Sequence, residues 1–134
     1  MVVPQGWTVL STQTQSQPTT ASGTKEFQEQ VAQFGLNEKD LAKWFDDEPL
    51  SGFQFGLSPV ISVYLYSVMA GPYVKIDSDK DEIKNYRFPL SLYCRRSLQK
   101  FVERAKEEYF NVTKCGIDYY EKLFSTPYPF AKLD

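Results

Sequence analysis

The periodicity of apolar positions changes several times along this chain, and each change predicts an element. Residues 7–11 (WTVLS) combine aromatic and β-branched types over a length suited to a short strand. From Ser11 to Thr24 the pattern dissolves: eleven of fourteen positions are Ser, Thr or Gln and none is charged, as expected of a surface loop. A period of 3.6 follows. Thr24 is placed to cap a helix whose face is Phe27, Val31 and Phe34, with Gly35 where a left-handed cap is needed. Asn37, with Asp40 three residues on, opens a second helix with the face Leu41, Trp44 and Phe45.

The period then becomes two. In the run 59–70 (PVISVYLYSVMA), Ile61, Val63, Leu65 and Met69 alternate with Val60, Tyr64, Tyr66 and Val68. Both faces are largely apolar, so a strand covered on both sides is expected, ended by Gly71-Pro72. A polar turn over 77–85 leads to a second strand over 87–94, predicted to be its antiparallel neighbour. The last forty residues are helical in pattern: a short helix capped by Ser97 and carrying Phe101, Val102 and Ala105, then a longer one over 107–124. The buried stripe of the longer helix is expected at Phe110, Ile117, Tyr120 and Phe124, with Tyr109, Val112 and Leu123 beside it. Gly116 within it costs about 1 kcal/mol relative to Ala, tolerable where another backbone packs closely. Pro127 and Pro129 stop this helix, and Tyr128 and Phe130 between them should anchor the turn. Strands followed by helices make the chain α+β.

Composition narrows the chemistry. Lys plus Arg is 15 and Asp plus Glu is 17, a net charge of −2, which argues against nucleic acid as a partner. There is no histidine, which removes Ser-His-Asp and Cys-His catalysis and every His-containing zinc site. Cys94 and Cys115 are too few for a Cys-only zinc site. The start, MVVPQGWTVL, lacks the basic and apolar regions of a secretory leader, so the thiols read as small, buried, reduced residues of a cytoplasmic protein, with a disulfide as the lesser alternative. The run 59–70 is too short to span a bilayer, so no membrane partner is expected.

The remaining motifs favour bland readings. Asp77-Ser-Asp-Lys-Asp81 imitates the opening of a calcium loop, but Glu82 and Phe88 stand where Gly and Glu are required. Asp46-Asp47-Glu48, just before Pro49, reads as a helix-end turn within an acidic stretch, 25–50, of three positive and seven negative charges. Asn111-Val112-Thr113 matches a glycosylation acceptor inside a helix, and Arg95-Arg96 is too short for a phosphate patch. No Gly-rich phosphate loop follows any strand. By chemistry the residues offer no catalytic, cofactor-binding or metal site.

Three segments, in order, resemble one family. Val3-Pro4 with WTVLS resembles the "VP…W.VIS" strand of the zinc aminopeptidases of the aminopeptidase N and puromycin-sensitive type. Residues 58–73 (SPVISVYLYSVMAGPY) resemble that family's "P.MSTYL.A.VVG.F" strand. Residues 119–134 (YYEKLFSTPYPFAKLD) resemble "FYEEYFG.PYPLPKLD", and 92–97 (LYCRRS) with 112–116 (VTKCG) are similar to a subgroup with "LYCRRSL…VTKQGFDFY". Residues 18–50 look like a divergent insertion.

The resemblance implies antiparallel strands from the end of an amino-terminal β-sandwich or saddle domain over 1–95, with a helical insertion at about 25–46. It implies, over 96–134, the first helices of a thermolysin-like catalytic domain. Family members remove amino-terminal residues from peptides, with zinc on a His-Glu-x-x-His helix and a distal Glu, and a Gly-x-Met-Glu-Asn strand for the substrate amine. None of these motifs maps onto this chain, so zinc is implied only for the full-length family member, and the chain as given is expected to be inactive. Its expected partner is the remainder of an aminopeptidase, or another protein, covering the strand 60–69 and the helix 107–124. The alternative is a structural or interaction subunit without peptidase activity.

Overall fold

The computed structural model describes residues 1–16 and 19–134; the Gln17 and Pro18 positions of the polar tract lie outside them. The chain folds as two compact units, Met1–Pro72 and Tyr73–Asp134. Antiparallel sheets and helices together give the expected α+β class.

In the first unit, β1 (Val2–Pro4) lies antiparallel to β4 (Leu50–Gly52), which pairs on its other side with β3 (Thr20–Ala21). Pro4, which has no N–H to give a ladder, ends an edge strand. β2 (Thr8–Ser11) matches the predicted first strand. Between β3 and β4 come α1 (Lys25–Ala32) and α2 (Glu38–Trp44). Both predicted caps form: Thr24 Oγ1 accepts from Phe27 N–H at 3.2 Å, and Asn37 Oδ1 accepts from Asp40 N–H at 2.9 Å. The core is Phe27, Val31, Leu41 and Leu50, with Val2, Leu36 and Phe45 packed on it.

Phe34 and Trp44, expected on the buried faces, are 74% and 67% exposed. α1 ends at Ala32, so Phe34 sits in the capping turn rather than on the helical stripe. There Gly35 turns left-handed (φ 69°), Leu36 N–H reaches the Val31 carbonyl at 3.3 Å, and Leu36 takes the core position instead. In α2, Phe45, four residues after Leu41, shares its face; Trp44, three residues on, is turned aside.

The run 59–70 departs most from expectation. Only β5 (Val68–Gly71) is a strand, antiparallel to β2 with Ser11 opposite Val68; Val63–Leu65 is a single 3-10 turn. Continuing this register would set 12–16 against 63–67, but the polar segment is diverted. Gln15 bridges to Phe55, Ser16 N–H binds the Gln54 carbonyl at 2.8 Å, and Gly56 N–H binds that of Thr14 at 3.2 Å. The apolar run loses its partner strand, and Val60, Val63 and Tyr64 stand almost fully exposed.

In the second unit, β6 (Tyr73–Ile76) pairs antiparallel with β7 (Leu92–Arg95), Ile76 opposite Leu92. The strand predicted over 87–94 is therefore shorter, and its neighbour is β6 rather than the run 59–70, because the partner of β5 is β2. The connecting loop holds the short α3 (Asp81–Lys84).

One continuous helix, α4 (Gln99–Phe124), replaces the two expected, since no breaker separates Ala105 from Glu107. Ser97 lies in the 3-10 turn Arg96–Leu98, and no side chain caps α4. Phe110 joins Ile83 and Leu90 in the core, with Ile117 and Leu133 packed on it. Tyr120 and Phe124, predicted buried, are 57% and 67% exposed, because the core takes only the face centred between Phe110 and Ile117. Gly116 faces open space: among the described residues a Cβ there would meet nothing within 4 Å. Tyr128 anchors the final turn, stacked on Phe88 at 4.7 Å and edge-on to Phe130 at 5.5 Å. No helix among the described residues is long and apolar enough to cross a membrane.

Candidate functional site

The charged groups of the second unit converge on α4 from the loop after β6 and from the tail. Ser78, buried in the 77–81 turn, donates its hydroxyl to Glu107 at 2.7 Å, while Asp79 N–H donates to the other Glu107 oxygen at 2.8 Å. Lys80 N–H in turn donates to Ser78 Oγ at 3.1 Å, and Lys106 pairs with Asp79 at 2.7 Å. The Asp79 backbone N–H and the Ser78 hydroxyl hold the Glu107 carboxyl below its ordinary range. The acidic turn is thus a strap, fastened to the helix by a helix carboxylate. Asp77 faces Lys75 at 2.8 Å, so Asp77 and Asp79, two of the carboxylates that imitate a calcium loop, have separate partners.

A second network lies farther along α4. Arg87 spans Asp118 at 3.2 Å and Glu121 at 2.6 Å, one turn apart on one helix face. Arg87 also donates to the Tyr86 hydroxyl at 2.7 Å, and Tyr86 donates to Asp118 at 2.7 Å. Lys114 reaches the other Asp118 oxygen at 3.1 Å. Glu121 accepts the Tyr128 backbone N–H at 2.6 Å, which ties the tail to the helix. The Tyr86 and Lys114 hydrogen bonds depress Asp118; the Tyr128 N–H and Arg87 depress Glu121. Burial pushes the Tyr86 and Tyr128 phenols up, making them weaker acids.

A groove of about 490 Å³ lies beside this network, lined by Lys75, Ser78, Lys84, Tyr86 and Arg87 among others. Two of its three cations, Lys75 and Arg87, are already paired. Each depressed carboxylate is held by donors of the same unit. Among the described residues no three of Cys, Asp and Glu gather where they could hold a metal ion. With no histidine in the chain, the donor set does not fit the zinc implied by the family resemblance.

The other singled-out residues are scattered. Asp46 and Asp47 (φ 52° and 59°) are the central pair of a mirror-type turn closed by Glu48 N–H on the Phe45 carbonyl at 3.0 Å. Asn111 is half-buried in mid-α4, and Arg95 and Arg96 are exposed where β7 meets the next turn. Cys94 and Cys115 are free thiols, Cys94 half-buried and Cys115 exposed rather than buried as expected. Sequence reasoning missed Glu107, Arg87, Asp118 and Glu121. Lys114 and Asp118 at i,i+4 were a visible signal, but Arg87 comes from a distant loop.

The exposed apolar surface is the larger feature. α4 carries a second stripe away from its core: Phe101, Tyr109, Val112, Tyr119 and Leu123 are 51% to 70% exposed, with Ala105 and Gly116 between them. Stripe and apolar run leave large uncovered apolar faces on this α+β chain.

The chain is 31% identical over 133 residues to aminopeptidase N of Streptomyces lividans, matching 98% of this chain and 11% of that protein. The chain is thus related to a segment of aminopeptidase N and spans about a tenth of that relative's length. No family model matches it, and no solved structure does.

Proposed function

We propose that this chain is a non-catalytic, scaffold portion of a zinc-dependent aminopeptidase that removes amino-terminal residues from peptides. Residues 1–95 supply the end of a β domain and 96–134 the first helices of the catalytic domain, and the whole protein works in the cytoplasm. The observation that carries this reading is the near end-to-end similarity to 11% of aminopeptidase N. The uncovered faces support it: the run 60–69 and the outer face of 107–124 are where the remainder of such an enzyme would pack. Zinc and the amine-binding strand would come from outside these residues. Sequencing the gene on both sides tests this, with a His-Glu-x-x-His motif in the same reading frame expected; an intact frame lacking it defeats the proposal.

A second reading, an interaction subunit without peptidase activity, is favoured by the same stripe on α4. It predicts a complete reading frame without the zinc motif and a protein partner captured by the chain. Val112→Lys, in the middle of the stripe, should abolish that capture.

A further inference from the structure

We draw no further inference here: the strongest candidate, the groove of about 490 Å³ beside Tyr86 and Arg87, has Lys75 and Arg87 already committed to carboxylates of the same unit and is left with the exposed Lys84 as its one other cation, and nothing in the structure points to a ligand for it.

Discussion

At the level of single residues, Gly116 is a weak point that nothing in its surroundings requires. It lies in mid-helix and a Cβ there would meet open space, so Gly116→Ala should raise stability by about 1 kcal/mol through helix propensity. Urea unfolding measures this; a loss of stability would reveal a neighbour seated on that face. Asp47 is the opposite case, a side-chain-bearing residue held at positive φ in a tight turn. Asp47→Gly relieves a conformation that costs most residues about 1 kcal/mol, and should raise the melting temperature modestly. Phe27 is fully buried at the centre of the first core, so Phe27→Ala should cost about 3–5 kcal/mol, seen as a lower urea midpoint or loss of the cooperative transition.

The starts of α1 and α2 were legible because local chemistry decides them, whereas the cap expected at Ser97 did not form. Thr24 and Asn37 start their helices as expected, since a cap needs only its own side chain and the N–H three residues on. Strand pairing was less legible, because it depends on which of several distant segments forms the more favourable ladder. The diversion of 14–16 onto 54–56 leaves only the end of the most strand-like run, from Val68 on, in a ladder. Faces of α4 were half legible: the pattern is apolar on two sides, and only contact with Ile83 and Leu90 decides which is core.

The straps on α4 also carry a pH dependence. Glu107, Asp118 and Glu121 all have depressed values, so the unfolded chain binds protons before the folded one does. Their contribution is present above the ordinary carboxylate range of about 4 and is lost as pH falls through the folded values. Thermal melts of the wild type should fall as pH drops from neutral to below that range. Arg87→Ala should flatten the acid limb by releasing Glu121 and Asp118 toward ordinary values; an unchanged limb would remove Arg87 from the account.

For the molecule as a whole, the candidate surface is one of shape and hydrophobicity, with charges that serve the fold. The purified chain is expected to bind no stoichiometric zinc by mass spectrometry and to hydrolyse no aminoacyl amide. Either positive result would require a ligand set that the described residues do not bring together. The proposed scaffold role predicts both features, since a segment that packs inside a larger protein carries apolar faces for its neighbours.

The sequence by itself determined the α+β class, the caps of α1 and α2, the absence of histidine chemistry and the family likeness, because each depends on residue identity or short spacing. Tertiary structure alone decided that β2 pairs with β5 and β6 with β7, that Arg87 bridges two helix carboxylates, and that one side of α4 stays open. Those outcomes rest on competition among distant segments for one partner, and a strand or helix face carries no mark of which competitor arrives.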